Sequence, residues 1–327
     1  MSQLLFIQKQ GSVIHKEGES LLVKFKGEAK GLYPLENVDA VIAMGRVEIT
    51  NAFLRYALAR NIKIIIADRT GVFKGKFYGL TGKNIVARLL QYKGFASEEK
   101  KKSIAVEIVR SKIRNTMKVL KDLKSPVYSE LKDSYTNAMD SLNCAETIEQ
   151  IRGIEGSFAA QYFRNFPGLL IHHFNFKKRI RRPPTDPVNA MLSLGYTVLF
   201  FLGVTVIESK GLEPYLGFLH DVRYSHPALV SDMIEPFRAM VTDAAIIELI
   251  NHEIIKQEHF RKEDDKVLMT SEGLNLYYRQ LQQLLQREYE AHDGQKYTIV
   301  QAMEKNVAII LQYLNGKKTK PGMLQFK

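Results

Sequence analysis

Over the first part of the chain the apolar residues fall into short runs. Leu4–Gln8, Ser12–His15 and Leu21–Phe25 are separated by Gly11 and Gly18 and predict strands. Val38–Ala43 and Ile64–Ala67 predict two more, and Gly71–Tyr78 a glycine-bounded last one. Thr50 or Asn51 can cap a helix whose apolar residues Phe53, Leu54, Ala57 and Leu58 share one face. From about residue 84 the period becomes helical. Ala96–Leu120, Thr147–Phe163, Pro187–Ser209, Ala228–Ile250, Ser271–Arg287 and Val300–Leu314 predict helices, and Pro183-Pro184 break the chain before the third of them. The basic tail Gly316–Lys327 is expected to be mobile. The pattern predicts an α+β fold in two domains, a small sheet domain with one helix over 1–85 and a helical domain over 86–327.

Val188–Ile207 is 20 residues without a charge, long enough to span a bilayer. Asn189, Ser193, Thr197 and Thr205 recur along it with Gly195 and Gly203, and no second such stretch exists, which favours a buried helix wrapped by other helices over a membrane span. Met1–Lys9 has no basic region followed by a long apolar one, so no secretory signal is read there. Cys144 is the single cysteine, too few for an internal disulfide or a thiolate metal cage. A cytoplasmic protein without a membrane partner is expected.

Charge changes the picture next. The 327 residues carry 47 Lys+Arg against 35 Asp+Glu, a net +12, which suggests an anionic partner. The excess is uneven: +6 over residues 1–85, +3 over 86–150, +5 over 151–200, −4 over 201–250 and +2 over 251–327. One acidic window lies inside a basic protein.

Most familiar sites fail on spacing. The glycine-rich Gly71–Lys83 segment is no P-loop, because Asn84 follows Lys83 and Phe77 stands at the first glycine position. His252-Glu253 does not open a zinc helix, since His259 comes seven residues after His252. His172 and His173 are adjacent and point in different directions in regular structure. The acidic window is more informative. His220 is followed by Asp232 and Glu235, whose spacing of three puts both carboxylates on one helix face. Pro236 would crowd the Asp232 carbonyl and kink that helix. Upstream, Glu155 lies beside an apolar stripe at positions 151, 154, 158 and 162, and a carboxylate at a core edge needs a cation or hydrogen-bond donors, with Arg152 the plain partner and a metal the sharper one.

Taken together, several segments carry a family resemblance. They are Val47–Lys76, Arg152–Gly156, Asp186–Ala190 with Ser193, Gly195 and Tyr196, Gly211–His220 and Ser231–Arg238. In this order the chain resembles the CRISPR-associated integrase/endonuclease of spacer acquisition. The resemblance implies an N-terminal β-sandwich-like dimerisation domain, an all-α C-terminal domain holding a metal site, a homodimer, and a complex with the smaller, second-numbered CRISPR-associated protein on double-stranded DNA. It implies Glu155, His220 and Glu235 as ligands of a catalytic divalent metal, with Asp232 an auxiliary acidic residue; the choice between Asp232 and Glu235 stays open. Oxygen and imidazole ligands suit Mn²⁺ or Mg²⁺, although such a set could also take Zn²⁺. The implied reaction is attack of a 3′-hydroxyl of a foreign DNA fragment on a repeat phosphodiester, with hydrolysis when water attacks.

For holding DNA the run Lys177, Lys178, Arg179, Arg181 and Arg182 offers five cations in six residues, with a solvated basic loop as the plain alternative. Arg223, three residues after His220, is a candidate phosphate contact, and Arg238 either contacts DNA or pairs with Glu235 or Asp232. A stand-alone nuclease on branched DNA and a non-catalytic DNA-binding scaffold are the competing functions.

Overall fold

The computed structural model describes residues 3–60, 62–69, 73–77, 79, 84–172, 174–180 and 183–327. The chain divides into two compact units, Met1–Thr81 and Gly82–Lys327.

Among the described residues the first unit holds eight strands: β1 (Gln3–Ile7), β2 (Ser12–Glu17), β3 (Ser20–Phe25), β4 (Glu28–Pro34), β5 (Val38–Met44), β6 (Glu48–Ile49), β7 (Lys63–Ala67) and β8 (Phe73–Phe77). They form two four-stranded sheets, ordered β1-β5-β7-β8 and β4-β3-β2-β6. In the first, β5 runs parallel to both neighbours, and Ala40–Met44 is buried throughout, as an interior parallel strand requires. The second is built on the antiparallel β2–β3 pairing, with Ile14 opposite Val23. Leu5, Ile7, Ile14, Leu21, Val23, Val41, Ala43 and Ile64 from both sheets share one core with Phe53 and Ala57 of helix α1 (Asn51–Ala59). Two four-stranded sheets thus pack on one core together with α1. Thr50 caps α1, accepting from the Phe53 amide and donating to the Ile14 carbonyl. The sequence pattern missed β4, whose residues are largely exposed along a sheet edge. The predicted strand Gly71–Tyr78 is observed over Phe73–Phe77; its remaining positions lie outside the described residues.

The second unit is mainly helical: α2 (Ile85–Phe95), α3 (Glu98–Asp122), α4 (Val127–Glu130), α5 (Lys132–Cys144), α6 (Ile148–Asn165), α7 (Pro187–Ser209), α8 (Ala228–Ile234), α9 (Ala244–Asn251), α10 (Ser271–Gln286) and α11 (Ile299–Leu314). The expectation of an all-α unit is corrected by two small hairpins, β9 (Phe260–Glu263) with β10 (Lys266–Met269) and β11 (Tyr289–Glu290) with β12 (Lys296–Tyr297). In the first, Phe260, Val267 and Met269 point inward and Asp264 turns with a φ of 51°, an alternation hidden in a charged sequence. The tail is also corrected. Met323, Leu324 and Phe326 are buried, the Leu324 amide donates to Asn306, and Phe326 bridges to Ala291. The buried Pro321, Met323, Leu324 and Phe326 dock it.

α7 is, among the described residues, the one helix long and apolar enough to cross a membrane, and 67% of its apolar stretch is buried within the protein. It packs against α8, α11 and β10. Gly195 permits the closest approach, since a Cβ there would fall 2.4 Å from the Tyr277 hydroxyl and 2.5 Å from Thr242. Asp186 caps the helix and, with Asn189, ties the incoming segment down: Asn189 Oδ1 accepts from the Ile180 amide and Nδ2 donates to the Lys178 carbonyl.

The predicted helix Ala228–Ile250 is broken. After α8 comes one 3₁₀ turn, Glu235–Phe237, then a π turn, Ala239–Asp243, before α9 resumes. Pro236 is the cause expected from sequence, since it has no N–H to give to the Asp232 carbonyl. Its own carbonyl accepts from Asn115 Nδ2 of α3 at 2.8 Å.

Candidate metal centre

Three elements and the residue after one of them bring charged side chains to one place. α6 starts from a capping box in which Thr147 and Gln150 satisfy each other's backbone, and it buries Ile151, Phe158 and Tyr162. That leaves Glu155 on the rim of the buried face, its side chain 26% exposed. The 3₁₀ turn supplies Glu235, 3% exposed. α3 supplies Lys112, whose ammonium bonds to Glu155 Oε1 and lies 2.6 Å from Glu235 Oε2. Arg238 completes the set, 2.7 Å from Glu235 Oε1.

Burial alone would raise the Glu235 carboxyl, but the Arg238 guanidinium and the Lys112 ammonium hold it down at about 2. For Lys112, burial works against the charged form and the two glutamates overcome it, so its pKa is raised. Arg152, the alternative partner for Glu155, is engaged elsewhere: it donates to the Leu219 carbonyl at 2.7 Å and pairs with Asp221.

His220 is delivered by a clamped loop. Gln91 of α2, fully buried, donates to the carbonyls of Glu213 and Leu216 and accepts from the Glu213 amide. Gly217 lets the loop pass tightly over α8, because a Cβ there would fall 2.8 Å from both the Ala228 carbonyl carbon and Asp232 Oδ2. Asp232, fully buried, then gathers the loop end. Its Oδ2 accepts from the amides of Phe218 (2.5 Å) and Leu219 (3.0 Å), and its Oδ1 accepts from the His220 amide (3.0 Å) and meets His220 Nδ1 at 2.7 Å. A carboxylate can only accept, so Nδ1 donates in this contact, which in the neutral ring leaves the lone pair on Nε2. Both Asp232 oxygens are thereby committed, whereas Glu235 faces Lys112 and Glu155. A protonated His220 would favour the Glu235 carboxylate through space.

The sequence reasoning missed several residues around this set. Lys112 is the chief one; its signal was the run of polar residues Ser111, Asn115 and Thr116 on the buried side of α3. Asp243, in the π turn, accepts from the Tyr162 hydroxyl at 3.0 Å and the Tyr196 hydroxyl at 2.8 Å. Burial raises its carboxyl to about 6 against those two hydrogen bonds and the charges of Arg238 and Lys112. Tyr196 in turn lies under the Arg238 guanidinium, 4.9 Å from the ring centre. His226 bonds Ser231 at 3.3 Å, and burial, then the charges of His220 and Arg223, lower its pKa.

The basic candidates separate. Lys177 and Lys178 are exposed, and Arg223 is 74% exposed beside Asp221. Arg179 turns inward instead, donating to the Ile180 carbonyl, Asn189 and Ser193 and stacking on Tyr196. Arg181 and Arg182 lie outside the described residues. Arg238 makes the ion pair with Glu235 that was its alternative role.

Chemically, Glu155 and Glu235 converge on a single cation, and with His220, whose Nδ1 is held by Asp232, they make a candidate oxygen–nitrogen donor set. That set fits a hard or borderline divalent ion. Among the described residues no three His, Cys, Asp or Glu side chains surround a common point, and an ammonium lies between the two glutamates.

Comparison with known proteins bears on this centre. Among solved structures the chain is similar to a casposase bound to its integration product, with a TM-score of 0.86 and 25% identity over 97% of this chain and 92% of that one. It is also similar to a Cas6-RT-Cas1–Cas2 complex, with a TM-score of 0.80 and 26% identity over 99% of this chain but 36% of that one. Curated relatives include a CRISPR-associated endonuclease Cas1 of Thermus thermophilus, 32% identical over 79% of this chain and 77% of the relative. Another, from Chlorobaculum tepidum, is 30% identical over 95% of both. The family model described as "CRISPR associated protein Cas1" matches residues 5–283, a span that includes both glutamates, Lys112, His220 and Asp232. Sequence, fold and the resemblance carried by the site motifs therefore agree, and the chain belongs to the Cas1 family of CRISPR-associated endonucleases.

Proposed function

We propose that this protein is a metal-dependent DNA integrase and endonuclease of CRISPR adaptation, inserting DNA fragments into a repeat array by attack of a 3′-hydroxyl on a repeat phosphodiester. The observation that carries this reading is the meeting of Glu155 and Glu235 on one cation, together with a His220 ring that is oriented by Asp232. Glu155, Glu235 and His220 Nε2 would hold Mn²⁺ or Mg²⁺, with Asp232 as the residue that positions His220. When bound, the ion supplies polarisation of the phosphodiester and stabilises charge on the attacking and leaving oxygens. The protein's own contribution is to keep Glu235 ionised in a buried place, to fix the His220 tautomer, and to offer Arg223, Lys177 and Lys178 to DNA phosphates.

Similarity to a casposase on its integration product and to an assembly containing Cas1 and Cas2 supports DNA and a Cas2 protein as partners. A homodimer through the β-rich N-terminal domain, over about residues 1–85, and a cytoplasmic location complete the proposal. The test is strand transfer of a short duplex into a repeat-bearing plasmid by the protein with its Cas2 partner and Mn²⁺. Glu155→Ala and His220→Ala are expected to abolish it. Full transfer by either variant would overturn the assignment, and cleavage of branched DNA without any transfer would instead identify a stand-alone nuclease.

A further inference from the structure

The ammonium of Lys112 occupies the point at which two proposed metal ligands meet. Its partners are charged. Glu155 and Glu235 contribute two negative charges, Lys112 and Arg238 two positive ones, and all four are linked by direct ion pairs. Lys112 is only 15% exposed, and Glu235 3%. Two carboxylates sharing a partly dry site would repel each other strongly if left alone. A cation between them removes that repulsion, and a four-carbon stem rooted in the regular helix α3 puts the ammonium there without any ion from solution.

We infer that Lys112 is a resident cation of this site: it holds Glu155 and Glu235 together in the free protein, competes with the divalent ion, and makes metal loading depend on DNA. The inference rests on the metal-site reading above. In the free protein the four side chains are already balanced, so a divalent ion adds two uncompensated positive charges and must drive the ammonium out from between the glutamates. A DNA phosphate arriving at the same place brings negative charge for the displaced ammonium and the ion together. Metal and DNA therefore favour each other's binding, and by linkage each raises the affinity of the other by the same factor. A site that loads its ion well only with DNA in place would also keep the free protein from cutting indiscriminately.

The experiment is titration of the purified, DNA-free protein with Mn²⁺, followed by isothermal calorimetry and by the electron paramagnetic resonance signal of free Mn²⁺. Lys112→Met keeps the stem length and removes the charge. It is expected to bind Mn²⁺ at least about tenfold more tightly than the unmodified protein, while Lys112→Arg, which keeps the charge, stays within about threefold. Without metal, Lys112→Met should melt at a lower temperature, and Mn²⁺ should restore most of the difference. Adding a repeat duplex should tighten Mn²⁺ binding to the unmodified protein and do so much less for Lys112→Met. Equal Mn²⁺ affinity in Lys112→Met and the unmodified protein would overturn the role of Lys112 while leaving the metal site standing. Absence of Mn²⁺ binding in both, with and without DNA, would overturn the metal site and this inference with it. Should Lys112→Met fail to fold, a crystal structure of the unmodified protein with Mn²⁺ decides: the ammonium is expected away from both glutamates, and its persistence between them would refute the displacement.

Discussion

α6 and the stretch from Ala228 to Asn251 each deliver one carboxylate to the same ammonium, and they do so by opposite means. α6 is a regular helix with an ordinary capping box, and Glu155 extends from the edge of its buried stripe into a partly open space. The second stretch passes through α, 3₁₀, π and α geometry within 24 residues, and nearly all of it is buried, including Asp232, Glu235 and Asp243. A regular helix spaces its side chains evenly and cannot turn Asp232 toward a loop, Glu235 toward α3 and Asp243 toward α6 and α7 at once. The broken one does. The difference teaches that irregular backbone is used here where several buried charges must face different partners, and that regular backbone suffices where one charge need only stand at the rim.

Removing the acids one at a time should break this comparison most sharply. Asp232→Ala strips three backbone amides and one imidazole of their buried acceptor, at about 1–3 kcal/mol for each group left unsatisfied, so a loss of about 3 kcal/mol or more is expected. Glu155→Ala leaves Lys112 paired with Glu235 and should change stability by no more than about 1 kcal/mol. Urea unfolding of the two variants measures both. Equal losses would mean that the regular and the broken helix carry their carboxylates in equivalent settings.

The same contrast separates what could be read in the sequence from what could not. The stripe at 151, 158 and 162 was visible because helical spacing shows in the pattern of apolar residues, and Pro236 announced a break because proline lacks an N–H. The π turn had no such marker. Met240, Val241 and Thr242 suit an ordinary buried helix, and only the packing of Thr242 near Gly195 and the pull of two tyrosines on Asp243 distinguish it. Lys112 stayed hidden for a related reason: a lysine inside an amphipathic helix with many other lysines carries no mark of the glutamates it meets 43 and 123 residues later. The β9–β10 hairpin was obscured by its charged residues, although its apolar positions do alternate.

A smaller effect tests the buried acid that the proposed chemistry does not use. Asp243 has its carboxyl raised from 3.8 to about 6, because burial outweighs the hydroxyls of Tyr162 and Tyr196 and the charges of Arg238 and Lys112. Tyr277 on α10 also faces it, and burial keeps all three tyrosines protonated far above neutral pH. A folded-state value above the unfolded one means that the neutral acid favours the fold. That contribution is complete below pH 3.8 and is lost as the pH rises through about 6. Asp243→Asn should therefore gain about 2–3 kcal/mol on the unmodified protein between pH 3.8 and about 6, with a constant difference above pH 7. Urea midpoints measured from pH 4 to pH 8 give the curve, and a difference independent of pH would show that Asp243 titrates as an exposed acid does.

Gly217 tests the loop that runs from α7 to α8 and carries His220. Gly217→Ala forces a Cβ against the Ala228 backbone and the Asp232 carboxylate, and neither can withdraw as the end of a flexible chain would. A loss of about 1–2 kcal/mol is expected from overpacking, together with weaker strand transfer, because the loop carries His220. Transfer at the unmodified rate with lowered stability would separate the packing of the loop from the positioning of the histidine.

The smallest effects concern neighbouring cations with different settings. Arg179 donates to Ile180, Asn189 and Ser193 and lies against Tyr196, whereas Lys178 contributes its backbone carbonyl to Asn189 and leaves its side chain exposed. Arg179→Ala should lower stability by about 1–2 kcal/mol through those lost bonds and leave the salt dependence of DNA binding as it was. Lys178→Ala should leave stability within about 0.5 kcal/mol and reduce the slope of log affinity against log salt by about 1, the signature of one phosphate contact. Binding of a repeat duplex measured from 50 to 300 mM salt, about the range over which such contacts dominate, reads the slope directly. If Arg179→Ala reduces the slope as much as Lys178→Ala does, the guanidinium must leave its inward bonds to meet DNA, and residues 177–179 act as one track despite their different settings in the free protein.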